Sequence, residues 1–506
     1  MSTVIWSIAG SDNSGGAGIQ ADLATVASFN ALAPLHLCTV ITAVTAQGPD
    51  GLLASVPVSL SLLQQQVQAL LPSHLPSVIK LGLIGNSEQL HYLAELLPAL
   101  KRQQADLLVI CDPVQLCSSG GKLSAADLSL EHWQRLLPYI DIITPNLPEL
   151  QYLSQQRDIK DAITLLLSLG VGAVLSKGGH SQDLDWACDT LQFSPRFRYR
   201  AHPPLCQQAQ LCSPRQSGSA VHGTGCALSM ALCCALAAGF AAEDAFVLAK
   251  MYLDQGIAEA RRISSSVSGY RHLGHAPALF HRASLPALRD SWRKTASAFA
   301  PLKADLGLYL IVPDVPALQQ AIAAGASTVQ LRLKQHCHSM LRQQIRLAVH
   351  LAQQAGIQLF INDHWQLAIE LGAYGVHLGQ EDIDQADLAA IARAGLRLGI
   401  SCHGLYRLLR AEQLEPSYLA IGAVFATDTK DMRGKLQGLD KLPLYSRLFN
   451  RRPLVAIGGI NADNAADILA CDIRHLAMVS AFANAADKAA FVRQLQQQIE
   501  EYRYAD

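Results

Sequence analysis

The chain has 506 residues, more than one hydrophobic core usually organises, so two or more domains are expected. Half of the residues are hydrophobic and 16% are charged, with 40 Lys plus Arg against 41 Asp plus Glu. That balance leaves no electrostatic footprint for nucleic acid or an anionic membrane, while small anionic substrates need only local charge. The start, MSTVIWSIAGSD, has no basic n-region or sufficiently long apolar run, so no signal peptide is expected. Twelve cysteines are scattered without CxxC pairs, which reads as reduced, mostly buried thiols in a cytoplasmic protein rather than a disulfide framework.

In chain order, nearly continuous apolar runs predict strands at Val4–Gly10, Cys38–Gln47, Val78–Gly85, Leu107–Val114, Asp141–Asn146 and Gly172–Gly179. Helical patterns separate them, as in a doubly wound α/β sheet whose strands are covered on both faces. In such sheets ligands bind at the carboxyl ends of the strands. The longest apolar stretch, Cys226–Ala242, is closed by Glu243 and Asp244 and is short for a membrane span, so a buried helix is expected. The polar segment 283–304 matches no strand pattern and is read as a linker between domains at 1–282 and 305–506. Beyond it, strands are predicted at Leu306–Val312, Thr328–Leu333, Gln358–Asp363, Tyr374–Gly379, Leu396–Cys402, Tyr418–Phe425, Leu454–Ile460 and His475–Ala481. Eight βα repeats within about 200 residues have the count and size of a compact (β/α)8 TIM barrel.

The chemically unusual residues of the first half cluster at strand ends. Ile8–Asp22, IAGSDNSGGAGIQAD, is a Gly-rich strand–turn–helix that lacks the GK[ST] of a Walker loop. His222–Leu232, HGTGCALSMAL, places Gly223, Thr224 and Gly225 at a helix N-terminus, where free N–H groups and the helix dipole form an anion hole for a transferring phosphoryl group. The same dipole is expected to lower the pKa of Cys226 and suit it to act as a base. Glu149 in ITPNLPEL could organise Mg2+, Lys177 in VLSKGGH could meet ATP phosphates, and Asp112, within the predicted strand Leu107–Val114, is a further candidate for ATP and Mg2+.

Together, AGSDxSGGAGIQAD, ITPNLPE, KGGH and HGTGC resemble the ribokinase-like superfamily, in its hydroxymethylpyrimidine/phosphomethylpyrimidine kinase branch, from about Val4 to Leu279. Relatives that phosphorylate pyridoxal usually carry Asp where this chain has Cys226. The resemblance implies that Asp22 and Gln47 bind an aminopyrimidine, that Gly223, Thr224, Gly225 and Cys226 are catalytic, and that ATP and Mg2+ are used. Three departures bear on the pocket: the connection Ala27–Cys38 is longer than usual, and Leu83 and Gln115 stand where methionine is common.

In the second half, strand ends present Arg332, Lys334, Asn362, Asp363, Gln380, Glu381, Asp382, Ser401, Thr427, Thr429, Lys430, Gly458, Gly459 and Ser480. Two carboxylates at adjacent strand ends suit Mg2+, and three nearby cations suit a diphosphate. QLRLK, LFIND, GVHLGQED, LGIS, TDTK, AIGGI and VSA, in this order, look like thiamine phosphate synthase from about Leu306 to Ile499. That resemblance implies that Asp363 and Asp382 hold Mg2+. It also implies that Gln330, Arg332, Lys334, Asn362, Ser401 and Lys430 hold a pyrimidine diphosphate. Thr427, Asp428, Thr429, Gly459, Val479 and Ser480 would line the thiazole phosphate site, where Asp428 departs from the usual uncharged residue and should weaken phosphate binding unless it points away. The implied partners are small molecules: hydroxymethylpyrimidine, ATP and hydroxyethylthiazole phosphate. Self-association into a homo-oligomer is left open by the sequence. Two other readings also stay open at this point. The first half could be a pyridoxal or broad-specificity vitamin kinase, or one half could be a non-catalytic ligand-binding regulator.

Overall fold

Ten residues starting at Thr3 form the strand on which the first unit is built. In a computed structural model of the chain this unit contains β1 (Thr3–Asp12), β2 (Leu35–Gly48), β3 (Gly51–Pro57), β4 (Val78–Leu81), β5 (Leu108–Cys111), β6 (Ile142–Ile143), β7 (Ala173–Ser176), β8 (Trp186–Phe193), β9 (Gln208–Pro214), β10 (Val221–His222) and β11 (Arg271–His272). The structure describes all residues except 1, 49–50, 115–127, 181–182, 184, 200–202, 205, 217–220, 264–270, 289–297, 335–336, 427–435 and 504–506. The chain divides into two compact units, Met1–Asp290 and Ser291–Asp506.

The main sheet of the first unit runs β3-β2-β1-β4-β5-β6-β7-β8-β9, and β10 pairs separately with β11. β1 lies between β2 and β4 and is parallel to both. Strand order therefore reverses beside β1, and a crevice for a ligand opens at its carboxyl end. β1, β4 and β5 are buried along nearly their whole length, which is why they read as unbroken apolar runs. β3, β8 and β9 were absent from the sequence reading. They are antiparallel to their neighbours, and β8 alternates buried and half-buried residues. A strand with one wetter face carries a mixed sequence that a search for continuous apolar runs passes over.

The apolar stretch after His222 forms the helix Thr224–Ala237, buried from Ala227 to Ala237. No helix among the described residues is long and apolar enough to cross a membrane. The expectation of reduced thiols throughout needs one correction. Cys188 and Cys212, directly opposite each other on β8 and β9, form a disulfide. The cysteine spacing gives no sign of it, because the cross-strand pairing that aligns the two residues lies in strands that no continuous apolar run marks.

The second unit holds β12 (Leu308–Val312), β13 (Thr328–Leu331), β14 (Gln358–Asn362), β15 (Gly375–Leu378), β16 (Arg397–Cys402), β17 (Tyr418–Gly422), β18 (Leu454–Ile457) and β19 (His475–Met478), closed into a parallel barrel. All eight correspond to predicted strands. Aromatic rings fill the interior: Tyr309 and Phe360 have centroids 5.7 Å apart, and Phe360 and Tyr418 are 5.1 Å apart. Glycine makes room for them. A Cβ on Gly399 would lie 2.0 Å from Cζ of Tyr418, and one on Gly375 would lie 2.6 Å from the Phe360 ring.

The segment read as a linker is structured at both ends. Ala287 exchanges backbone hydrogen bonds with Cys212 of β9, within the first unit. Phe299 is buried, Ser417 Oγ donates to the Ala300 carbonyl, and the Lys303 N–H donates to Tyr374 Oη, all within the second. Gly399→Ala should lower the stability of the barrel by about 2–3 kcal/mol, since the buried Tyr418 ring leaves no space for the methyl. Thermal or denaturant unfolding of the second unit reads this directly, and an unchanged midpoint would mean that Tyr418 can move aside.

Candidate active site

In the first unit the carboxyl end of β1 turns through a glycine-rich loop into the helix Gly18–Phe29. Gly15 and Gly18 hold positive φ, and Gly16 packs so tightly that a Cβ there would meet His272 Nδ1 at 2.1 Å. Asp12, 2% exposed, organises the loop. Its carboxylate accepts from the Ser14 and Ala17 N–H groups, each at 2.8 Å, and from Ser14 Oγ at 2.9 Å, with His222 Nε2 at 3.2 Å. Burial alone would raise its pKa, but the bonds from His222, Ser14 and Gln47 hold it well below the usual carboxylate range.

Gly223, at φ +83, comes so close to the Gly16 carbonyl that a Cβ would lie 1.8 Å from the oxygen. This contact sets the start of the helix Thr224–Ala237 beside the start of the helix Gly18–Phe29. Cys226 sits between the two N-termini, and the Gly18 N–H donates to its sulfur. The expected lowering of its pKa is not what the structure shows. Burial first, and then Asp112 and Asp22, push the thiol up to about 11 against the opposing pull of Lys80 and Gly18. A helix dipole contributes about 1 kcal/mol, less than one pKa unit, which burial beside two carboxylates overrides.

Lys177 is half-buried between two carboxylates, 2.8 Å from Asp112 Oδ1 and 3.6 Å from Glu149 Oε2. Glu149 also closes a capping box on the helix Leu147–Ser154, its Oε2 accepting from the Asn146 N–H at 2.8 Å. Burial raises the Glu149 pKa, opposed by Lys177 and reinforced by Asp112. A Cβ on Gly225 would lie 3.2 Å from Lys177 Nζ and 3.6 Å from Asp112 Oδ2. The structure thus brings Asp112, Glu149 and Lys177 to the helix start at Gly223, Thr224, Gly225 and Cys226.

Asp22 lies beneath this surface rather than on it. It is fully buried, with Lys80 Nζ 2.9 Å from both oxygens and Ser7 Oγ 2.5 Å from Oδ2. Gln47 is 7% exposed, its N–H donating to Asn13 Oδ1 at 2.7 Å. Leu83 packs against Gly10 at the end of β1, while Gln115 lies outside the described residues. The lengthened connection Ala27–Cys38 proves to be a short turn, because β2 starts at Leu35, whose N–H is held by Asn30 Oδ1 at 2.8 Å. Asp12, His222 and Lys80 were not singled out from sequence. Lys80 left a usable signal, since a lysine inside the apolar run VIKL needs a buried counter-charge.

In the barrel, Asn362 ends β14 and donates from Nδ2 to Asp363 Oδ2 at 2.6 Å. Asp363 adopts φ +64, turning its carboxylate out of strand register. Burial raises its pKa, and the charge of Asp382 raises it further, so the two carboxylates are near enough to repel each other. Asp382 Oδ2 accepts from the Gly379 N–H at 3.2 Å. Arg332 is half-buried and near enough to lower the Asp363 pKa, and Lys334 is exposed. Gln380 Nε2 donates to the Ser401 carbonyl at 2.8 Å, and Glu381 is exposed.

Inside the barrel a chain of polar groups joins two of the expected pocket residues. Ser401 Oγ is 2.7 Å from His377 Nε2, His377 Nδ1 is 2.7 Å from Tyr418 Oη, and Tyr418 Oη is 2.7 Å from Tyr309 Oη, which accepts from Gln330 Nε2 at 3.2 Å. Burial and then Arg332 push the His377 pKa down to about 4, so the imidazole is neutral and passes hydrogen bonding rather than charge. After β18, Gly458 and Gly459 hold φ +103 and +67. Asn464 Nδ2 donates to the Gly459 carbonyl at 3.0 Å, and Val479 leads into exposed Ser480. Thr427, Asp428, Thr429 and Lys430 lie outside the described residues.

Residues 12–270 match the phosphomethylpyrimidine kinase family, and residues 308–482 match the thiamine monophosphate synthase family. A thiamine-phosphate synthase of Neisseria meningitidis serogroup A is 50% identical over 198 residues, which is 39% of this chain and 97% of the relative. Among solved structures, a phosphomethylpyrimidine kinase from Clostridium difficile is 29% identical with a TM-score of 0.40, covering 50% of this chain and 99% of its own. A pyridoxal kinase from Staphylococcus aureus is 26% identical with a TM-score of 0.45, covering 55% and 94%. The chain belongs to the phosphomethylpyrimidine kinase family through its first unit and to the thiamine-phosphate synthase family through its second.

Proposed function

We propose that the chain is a bifunctional thiamine-biosynthesis enzyme. Its first unit phosphorylates 4-amino-5-hydroxymethyl-2-methylpyrimidine and then the monophosphate, consuming ATP twice. Its second joins the resulting diphosphate to hydroxyethylthiazole phosphate, giving thiamine phosphate and pyrophosphate. The observation that carries this reading is the meeting of Cys226, the helix start at Gly223–Gly225, Lys177 and Asp112 at one point of the kinase unit, on a chain whose second unit presents the synthase carboxylate pair. Formation of thiamine phosphate from hydroxymethylpyrimidine, ATP, Mg2+ and the thiazole phosphate by the purified chain tests it, and accumulation of phosphorylated pyridoxal alone would favour the vitamin-kinase reading.

In the kinase step the substrate hydroxyl oxygen bonds to the γ-phosphorus as the bond to the β-phosphate oxygen of ATP breaks. The N–H groups at Thr224–Cys226 and the Lys177 ammonium lie where the equatorial oxygens gain charge. Cys226, in its thiolate form, receives the hydroxyl proton. Asp112 and Glu149 carry two negative charges against one on Lys177, a surplus that fits Mg2+, which would neutralise charge on the triphosphate. Asp22, locked on Lys80, supports the pyrimidine pocket from below and Gln47 borders it.

In the synthase step the bond from the pyrimidine methylene carbon to the diphosphate oxygen breaks, and the thiazole nitrogen bonds to that carbon. Arg332, Lys334 and Asn362 face the departing pyrophosphate, Gln330 and Ser401 orient the pyrimidine, and Gly459, Val479 and Ser480 line the thiazole phosphate site. The mutual repulsion of Asp363 and Asp382 suits Mg2+, which would neutralise the leaving group. Orientation and charge do the rest, and no protein nucleophile is required.

Three outcomes are expected. First, Cys226→Ala should slow pyrimidine phosphorylation about 100-fold or more. Because the thiol is pushed up to about 11, the thiolate fraction grows with pH. The wild-type rate should therefore climb from pH 7 to 9, and the variant's should not; parallel profiles would remove the base role.

Second, Asp363→Asn and Asp382→Asn should each raise the Mg2+ requirement of coupling and leave phosphorylation unchanged. Since the Asp363 pKa is raised, protons compete with the metal, and the wild-type requirement should also grow as pH falls. Unaltered Mg2+ titrations would place the ion elsewhere.

Third, the boundary falls within residues 289–297. Fragments cut there should be soluble and separately active, whereas cuts at Ser284 or Lys303 would strip Ala287 from β9 or Phe299 from the barrel. Assaying both fragment pairs decides it, and inactive halves from the central cut would mean that the units depend on each other.

A further inference from the structure

At the amino end of the kinase sheet, opposite the site just described, three potential metal ligands converge without any part in phosphoryl transfer. His36 and Cys38 are two residues apart on β2 and so project from the same face of the sheet. His74 belongs to the segment between the helix Leu60–Leu70 and β4. The ligating atoms of all three lie within 4.8 Å of one another. The two imidazoles are stacked, with centroids 5.5 Å apart and planes inclined by 27°.

We propose that His36, Cys38 and His74 form a binding site for a thiophilic divalent metal, with Zn2+ as the fitting ion and water as its fourth ligand. Two imidazoles and one thiolate without a carboxylate are a donor set for Zn2+, while Mg2+ selects oxygen. Zn–N bonds of about 2.0–2.1 Å and a Zn–S bond of about 2.3 Å put tetrahedral ligands roughly 3.5 Å apart, so the observed spacing needs inward rotation of about 1 Å.

The surroundings prepare the site. Ser73 Oγ lies 2.7 Å from His74 Nδ1, leaving Nε2 to ligate with the second-shell partner that metal-bound histidines usually have. The Trp6 indole N–H donates to the His74 carbonyl at 2.7 Å, and Trp6 is the register partner of Cys38, so the strand pair and the His74 segment are tied together before any metal arrives. Cys38 is 7% exposed, and burial raises its thiol pKa; binding would release that proton. His36 is exposed and leaves a path for the ion and its water.

Thr45, seven residues along β2 from Cys38, pairs with Asp12 at the catalytic end. At about 3.3 Å per residue the two sites are roughly 20 Å apart. A bound ion would clip β2 to the segment before β4 and stabilise the unit, since whatever binds the folded state and not the unfolded one shifts the equilibrium toward it.

The test uses the full chain, stripped with chelator and titrated with Co2+, whose thiolate charge-transfer and tetrahedral ligand-field bands report a Cys/His site. One equivalent should produce both bands, and Zn2+ should abolish them. Cys38→Ser should lose the charge-transfer band. His36→Ala, at an exposed position, should weaken Co2+ binding at least tenfold while keeping wild-type phosphorylation, and Asp363→Asn should keep both bands. Zn2+ should raise the unfolding temperature of the kinase unit in the wild type but not in Cys38→Ser. No charge-transfer band at stoichiometric Co2+ would overturn the proposal, and so would a band that survives in Cys38→Ser, because another thiol would then hold the metal.

Discussion

Strands buried on both faces leave polar chemistry nowhere to stand except at their ends, and that constraint shapes both units. β1, β4 and β5 in the first unit and β12 to β15 in the second are sealed in apolar layers. A charge within them must come with its partner, as Lys80 comes with Asp22. Removing one member of such a pair is far more costly than replacing both. The charged groups of both proposed sites are therefore gathered where strands stop: Asp112 after β5, Lys177 after β7, and Asp363 and Asp382 after β14 and β15, with the loop-tying Asp12 at the last position of β1.

The same constraint explains what could be read in the sequence. Eight barrel strands and six parallel strands of the first sheet were legible because continuous burial selects continuous apolar sequence. β3, β8 and β9 were not, because a wetter face dilutes that pattern, and the Cys188–Cys212 link disappeared with them. In the kinase site the motif residues were legible as a set: HGTGC, KGGH and NLPE do converge. The protonation of Cys226 was not, since it depends on Asp22, Asp112 and Lys80, which reach it through three-dimensional packing from three other elements. Asp12 was hidden in plain view beside the glycines whose loop it ties.

The barrel offers the converse lesson. Asp363 and Asp382 were recognisable as a pair from their places after consecutive strands. The relay from Ser401 through His377, Tyr418 and Tyr309 to Gln330 was not, because its middle members sit in apolar-looking runs such as GVHLG and YLAIG. Their polarity becomes visible only when the barrel closes and aligns strands far apart in sequence.

The rings of Tyr309, Phe360 and Tyr418 plug the interior of the barrel. Packed between strands in a core rather than around a pore, they seal the route toward the amino ends of the strands. Under the proposed synthase reaction both substrates would meet at the carboxyl ends of the strands, where Asp363 and Asp382 follow β14 and β15.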